Sequence, residues 1–331
     1  MAKYKKITVI GGSGFVGTNF CQRLVDHQID FEIIDIKQSQ RFPEKCKTGD
    51  VRDIVSLREA ISGDVVVNLA AVHRDDVRDK AEYFHTNVAG AENVAKICTE
   101  KCINKIVFTS TVAVYGFADP KTDESGKINP FNEYGITKFQ AEEKLRHWKN
   151  SGDNSLVIVR PTVIFGEGNR GNVFNLLNQI YSGKFLMIGG GENKKSMAYI
   201  GNITAFLQTC LSSEKDYAVY NYVDTPDLTM NELVGLVRDK LLGKHGAGLR
   251  LPYWFGLLIG YIADCVTKVT GKNFPISSIR VKKFVAFTQF CSAKNDLEGF
   301  EAPFTLSEGI HNTLHSEFLA PDPNREIFFT E

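Results

Sequence analysis

Tyr134 and Lys138 stand four apart in the stretch Tyr134-Gly135-Ile136-Thr137-Lys138. On a helix that spacing puts a phenol and an ammonium on one face. A free tyrosine has a pKa of about 10 and is no base at neutral pH. A neighbouring cation favours the phenolate and lowers that value. The pair is therefore a candidate general acid/base for moving a proton on and off an alcohol. The spacing alone is common; it gains meaning only if the chain builds a hydride acceptor beside it.

Ile7-Thr8-Val9-Ile10 is a short apolar, β-branched run with the pattern of a buried parallel strand. Gly11-Gly12-Ser13-Gly14-Phe15-Val16-Gly17 follows, then helical spacing over 18–27. Glycines at Gly11, Gly14 and Gly17 permit a tight turn, close backbone approach to a pyrophosphate, and a helix N-terminus aimed at it. An ordinary strand-to-helix turn is the plainer alternative. A second strand over 31–34 ends at Asp35, about 20 positions on, where a carboxylate accepts from the adenosine ribose and repels a 2′-phosphate. The expected cofactor is thus NAD rather than NADP. Asp35 as a strand-end turn residue is the competing reading.

The remaining segments must position these groups. Thr48-Gly49-Asp50-Val51-Arg52-Asp53 reads as a loop into a helix that runs to Ile61, and 65–71 as a buried strand ending in Leu69-Ala70-Ala71, small enough for a cofactor to approach. His73 and Arg74, with Asp75 and Asp76, either form a solvated loop or stand over the substrate. Helix over 81–102, strand over 106–110, the helix carrying Tyr134 to Trp148, and strand over 156–160 complete a βαβαβαβαβ alternation, which means a doubly wound parallel sheet. Beyond Phe165 the texture changes. Gly166-Glu167-Gly168-Asn169-Arg170-Gly171-Asn172 is a polar glycine loop before a helix over 173–181. The fold class expected is α/β: a Rossmann-type doubly wound parallel sheet over 1–165, also receiving a strand–helix segment near 202–224, with a smaller mixed C-terminal substrate domain over 166–331.

Net charge is +0, so no global field favours nucleic acid. The seven cysteines are an odd number and scattered, which argues against a disulfide framework. Cys98 and Cys102, four apart without a second pair or a nearby histidine, read as buried thiols, and no metal site is expected. The N-terminal apolar run is too short for a signal peptide, and a cytoplasmic protein is expected. The most apolar stretch, 252–263, holds about a dozen residues against the ~20 a spanning helix needs. Tyr253, Trp254 and Tyr261 suit a headgroup boundary, and Arg250, Lys268, Lys272, Arg280, Lys282 and Lys283 flank them. Either a core helix or a peripheral contact with the cytoplasmic face of the membrane fits that pattern.

Taken in order, these motifs resemble the extended short-chain dehydrogenase/reductases, the nucleotide-sugar epimerase and dehydratase group. The resemblance covers essentially the whole length. It rests on the Gly11–Gly17 turn, Asp35, Gly49-Asp50-Val51-Arg52-Asp53, Asn68-Leu69-Ala70-Ala71, Ser110-Thr111 before Val114-Tyr115-Gly116, Tyr134 with Lys138, and Arg160-Pro161. It implies that Tyr134 is the base, that Lys138 holds the ribose and lowers the tyrosine pKa, and that Thr111 hydrogen-bonds the reacting hydroxyl. It implies cofactor contacts at Gly11, Gly14, Phe15, Val16, Gly17, Asp35, Asp50, Val51, Leu69, Ala70, Ala71, Asn87, Ser110, Tyr134, Lys138 and Pro161. Dehydratases of the group carry Asp-Glu after the catalytic threonine, whereas Val112-Ala113 stand here and cannot protonate a leaving hydroxide. An epimerase needs only the tyrosine and NAD: the O4 proton and C4 hydride leave, the 4-keto sugar turns, and the hydride returns to its other face. Family members often form homodimers through a four-helix bundle that includes the tyrosine helix.

His73 to Val77, Phe165 to Asn172, Lys195-Ser196-Met197-Ala198-Tyr199 and Ser277 to Phe284 look like one bacterial subgroup, the C4 epimerases of undecaprenyl-pyrophosphate-linked N-acetylglucosamine and N-acetylgalactosamine, which act at the start of O-antigen assembly. That resemblance implies substrate contacts at His73, Arg74, Thr111, Arg170, Asn172 and Arg280, with Arg170 and Arg280 on the pyrophosphate. Three other readings stay open: the same chemistry on a UDP-sugar, a net NAD-linked dehydrogenase or reductase, and a catalytically silent NAD-binding regulator.

Overall fold

A computed structural model describes residues 4–74, 77–271 and 277–330; Asp75, Asp76 and Lys272 lie outside the described residues. Strands β1 (Ile7–Ile10), β2 (Phe31–Asp35), β3 (Cys46–Thr48), β4 (Val65–Asn68), β5 (Lys105–Thr109) and β6 (Ser155–Pro161) interleave with helices α1 (Phe15–Asp26), α2 (Ile54–Ala60), α3 (Ala81–Tyr83), α4 (Gly90–Glu100) and α5 (Glu133–Asn150). Then come β7 (Val163–Phe165), α6 (Asn172–Tyr181), β8 (Met187–Ile188), β9 (Met197–Tyr199), α7 (Ile200–Ser212) and β10 (Tyr217–Tyr222). Helix α8 (Met230–Leu242), β11 (Arg250–Leu251), α9 (Tyr253–Thr270), α10 (Ser278–Val285) and α11 (Leu306–Leu314) follow.

Among the described residues seven strands form one parallel sheet, in the order β3-β2-β1-β4-β5-β6-β10. Successive side chains along a strand point to opposite faces. Val9, Ile33, Val67, Val107 and Val157 pack with Phe20 and Leu24 of α1 and Ile203 and Phe206 of α7. Ile10, Ile34, Val66, Ile106 and Ile158 pack with Leu57 of α2, Val94 and Ile97 of α4, and Leu145 of α5. Both faces are thus covered, which is why the strands read as unbroken apolar runs. The strand order reverses between β1 and β4, and at such a point a crevice opens beyond the carboxyl ends of the strands.

Several boundaries differ from expectation for local reasons. Helix α1 starts at Phe15 rather than Thr18, because Gly14 already has the extended backbone of an N-cap. The long helix after β4 is broken by a π-helical turn, Phe84–Ala89, between α3 and α4. The short edge strand β3 is polar and carries no apolar alternation to announce it. The segment that returns to the sheet is a helix then a strand, α7 then β10, paired along β6 from Tyr217 to Tyr222. Cys98 is buried as expected, but Cys102 is exposed at a positive φ of 55° just past α4.

Candidate active site

The glycine turn between β1 and α1 is built by close backbone approach. Gly11 has φ 79°, and a Cβ there would lie 2.7 Å from the Ala70 nitrogen at the end of β4. A Cβ on Gly17 would meet the Gly11 carbonyl at 2.4 Å. Gly14 is different: an added Cβ would meet only the Gly11 oxygen, at 3.5 Å, so its open side faces the crevice rather than protein. No side chain caps the start of α1, which leaves helix N–H groups and the positive dipole end for an anion. The Asp35 carboxylate accepts the Ser13 N–H at 3.0 Å and the Lys37 N–H at 3.1 Å. It is held at the lip of the same turn with oxygen lone pairs to spare. An open cradle, an uncapped helix start and a strand-end carboxylate fit the pyrophosphate and ribose of a dinucleotide.

The proton-transfer group stands on the neighbouring elements. Asn132 caps α5 by accepting the Gly135 N–H at 2.9 Å. A Cβ on Gly135 would lie 2.6 Å from the Ala113 carbonyl, so glycine lets α5 press on the 3₁₀ turn Val112–Tyr115. That contact brings half-buried Tyr134 to the buried Thr111, whose side chain hydrogen-bonds the phenol. Thr111 also accepts the Ala113 N–H at 3.1 Å. Burial pushes the Tyr134 pKa up to about 12, against a smaller lowering by the Thr111 hydrogen bond. Burial brings Lys138 down to about 7, with the Glu142 carboxylate opposing. In the protein alone desolvation is the larger influence on Tyr134, and a lysine near 7 is only about half charged at neutral pH. The Lys138 ammonium lies 4.1 Å above the Phe108 ring.

Glu142, one further turn along α5, extends the Tyr134–Lys138 series and was not singled out from the sequence. It is fully buried. It accepts from Ser110 Oγ at 2.6 Å, Arg160 Nε at 2.8 Å and Nη2 at 2.6 Å, and Arg146 Nη2 at 2.7 Å. Arg160 Nη1 donates to Tyr115 Oη at 2.7 Å, and Tyr115 donates to Asn221 of β10 at 2.8 Å. The network ties β5, α5, β6 and β10 together beneath Thr111 and Lys138. It engages Ser110, expected at the cofactor, from below, while Pro161 is buried within β6. The i, i+4, i+8 spacing of Tyr134, Lys138 and Glu142 is the signal that could have found it.

The other expected residues divide. His73 reaches the site: its ring centroid is 6.5 Å from that of Tyr134. The residue is exposed by area, yet burial of its ring among neighbours lowers its pKa, and it hydrogen-bonds the main chain of Ala71 and Thr330. Leu69, Ala70 and Ala71 line the crevice half-buried. Asn87 is buried and clamps that segment, accepting the Val72 N–H at 2.9 Å and donating to the Val72 carbonyl at 3.0 Å and to Thr137 at 3.0 Å. Hydrogen bonds from Arg52 lower the Asp50 pKa, with a closest contact of 2.6 Å, and Val51 packs on Gly90. Arg74 and Asn172 are both exposed, Asn172 in the first turn of α6. Arg280 is exposed in the first turn of α10, against α9. Arg170 has protein partners of its own. Its guanidinium pairs with Glu317 at 2.6 Å and stacks 4.0 Å from the Phe174 ring, because the Glu317 side chain is buried and needs a cation.

The sequence matches the family described as NAD dependent epimerase/dehydratase over residues 7–222. It is 48% identical over 331 residues to the N-acetyl-alpha-D-glucosaminyl-diphospho-ditrans,octacis-undecaprenol 4-epimerase of Escherichia coli O157:H7, covering 98% of this chain and 99% of that relative. It is 28% identical over 346 residues to UDP-glucose 4-epimerase of Vibrio cholerae, covering 94% and 95%. The fold is similar to that of the Bordetella bronchiseptica enzyme WbmG, solved with NAD and UDP, at a TM-score of 0.73 and 20% identity over 99% of this chain and 97% of that one. The match runs from the first strand of the sheet to the last, over the glycine cradle and the Thr111–Tyr134–Lys138 group, and the chain belongs to the NAD-dependent epimerase/dehydratase family.

Proposed function

We propose that this protein is a C4 epimerase acting on N-acetylglucosamine carried by an undecaprenyl diphosphate, interconverting it with N-acetylgalactosamine at a membrane surface. The observation that carries the reaction class is local. Thr111 and Tyr134 are hydrogen-bonded, and the two positions after Thr111 are Val112 and Ala113, half-buried in a tight turn. A proton can move on and off a sugar hydroxyl there, but no carboxyl group stands at either position to expel water. Bound NAD would supply the acceptor and then the donor of the hydride at the sugar carbon. Gly11, Gly14, Gly17 and Asp35 hold it, Lys138 holds the ribose, Thr111 holds the reacting hydroxyl, and Tyr134 takes and returns the proton. His73 closes the site over the sugar. Residues 166–331 are read as the substrate side. Arg170, which pairs with Glu317, and Arg280 on α10 are the two proposed anion contacts.

The choice of a lipid carrier is supported by the 48% identical relative and by α9. Gly256 and Gly260, four apart, seat one face of that helix; their Cβ atoms would lie 2.8 Å from Ile188 and from the Ser278 backbone. The other face leaves Tyr253, Trp254, Leu258, Tyr261 and Ile262 exposed. A row of exposed apolar and aromatic residues beside Lys268, Lys282 and Lys283 suits an anionic headgroup layer. Two copies are proposed to pair through α4 and α5, and sedimentation as a monomer would remove that part.

The test is a side-by-side assay of UDP-N-acetylglucosamine and its undecaprenyl-diphosphate counterpart, with purified protein and no added cofactor. Turnover is expected on the lipid-linked sugar. Equal or better turnover of the UDP-sugar overturns the carrier assignment, and net oxidation or reduction of the sugar overturns the epimerase.

A further inference from the structure

The loop Gly166 to Asn172 has glycines that the proposed chemistry does not use. Gly168 has φ 84°, and a Cβ on it would lie 2.7 Å from the Glu326 carbonyl. A Cβ on Gly171 would lie 2.6 Å from Thr330 Oγ1. Both glycines therefore make room for the segment over residues 321–330. The segment is laced to the loop: the Arg170 N–H donates to the Phe328 carbonyl at 2.8 Å, and the Phe328 N–H to the Gly168 carbonyl at 2.9 Å. Thr330 Oγ1 donates to Asn169 Oδ1 at 2.7 Å. Beneath it Glu317 accepts the Gly168 N–H at 2.6 Å, pairs with Arg170 at 2.6 Å and lies 4.0 Å from Arg325.

The course of this strap is informative. Burial raises the Glu326 pKa while the charge of Arg41, in the loop after β2, lowers it. The Phe328 ring lies 5.7 Å from that of Phe15, the first residue of α1. The Thr330 main chain hydrogen-bonds the His73 side chain, in the loop after β4. The strap thus crosses the carboxyl edge of the sheet past β2, β1 and β4 in turn, along the line a dinucleotide takes at the switch point. Its contacts fall on the adenosine side, the glycine turn, and the histidine beside Tyr134.

We propose that residues 325–330 form the roof of the cofactor crevice, with Phe328 on Phe15 and Thr330 on His73 retaining NAD and fixing His73 beside Tyr134. An epimerase returns its cofactor to the starting redox state each cycle and has no need to release it, so a slow-opening roof suits the reaction. The inference rests on NAD lying in the crevice and is independent of the sugar.

The test is exchange of bound NAD against labelled NAD, in the full chain and without sugar, alongside thermal unfolding. Phe328→Ala is expected to speed exchange by about tenfold, equivalent to about 1.4 kcal/mol. Gly168→Ala, which pushes on Glu326 while touching neither Phe15 nor His73, should do the same. If Phe328→Ala fails to fold, Thr330→Val removes only the hydroxyl bond to Asn169 and should still speed exchange with little change in Tm. Unchanged exchange in folded variants overturns the roof. Slower exchange also overturns it, because the strap would then compete with the cofactor. Faster exchange in a protein that epimerises no sugar would leave the roof standing and sink the proposed function. A wild type that holds no NAD overturns both.

Discussion

At the scale of the residue, the site is governed by desolvation. A phenol held at about 12 and a lysine at about 7 are the wrong way round for catalysis in the protein alone. A positive charge nearby would lower the phenol but would depress Lys138 further, so the two shifts have no single remedy. Tyr134→Phe removes only the ionisable oxygen; turnover should fall by about 10²–10⁴-fold while NAD content and Tm stay near wild type. Near-normal turnover would remove Tyr134 as the base. Lys138 also has a pH signature. Its folded pKa of about 7 lies below the unfolded value of about 10.4. Between the two the unfolded chain binds the extra proton, so this residue makes stability rise with pH across that window. Below about 7 the lysine must be charged while buried, and its cost is fully present. Lys138→Met should flatten the slope of Tm against pH from 7 to 10 relative to wild type; parallel slopes would contradict the shift.

At the scale of the element, glycines decide how closely helices approach the groups they serve. Gly135 is the sharpest case, with its missing Cβ 2.6 Å from the Ala113 carbonyl. Alanine is about 1 kcal/mol better than glycine in a helix interior, so propensity alone predicts a more stable Gly135→Ala. The contact predicts the reverse: α5 must move off the Val112–Tyr115 turn, at the roughly 1–3 kcal/mol typical of overpacking, and the Thr111–Tyr134 hydrogen bond must lengthen. Denaturant unfolding should show net destabilisation, and turnover should drop with helix content intact. A stabilised, fully active variant would show that α5 is not held at this point.

At the scale of the whole molecule, the parallel sheet carries the cofactor side, and α9 leaves Tyr253, Trp254, Leu258, Tyr261 and Ile262 exposed. Among the described residues no helix is long and apolar enough to cross a membrane, so contact, if made, is lateral. Wild-type protein should float with anionic liposomes and less so with neutral ones, each nearby basic residue contributing about 1 kcal/mol. Trp254→Ser and Phe255→Glu should float less while remaining folded and NAD-bound. Wild-type protein left entirely unbound by anionic vesicles would refute the membrane contact.

What the sequence determined by itself was whatever depends on short-range pattern. Unbroken apolar runs between helical periods point to a parallel sheet covered on both faces, and glycines directly after β1 with Asp35 at the end of β2 point to a dinucleotide turn. The four-residue spacing put Tyr134 and Lys138 on one side of α5. Tertiary structure alone decided the rest, because burial and long-range pairing have no local signature. Glu142 looks like a surface helix residue until Ser110, Arg146 and Arg160 close around it. Arg170 reads as a phosphate ligand in the sequence, and its pairing with Glu317, 147 positions on, is visible only in the fold. The ionisation of Tyr134 and Lys138 follows from how far their surroundings desolvate them, which the spacing of two residues cannot convey. The glycines of the loop before α6 gain their meaning only when residues 325–330, distant in the chain, return to lie across them.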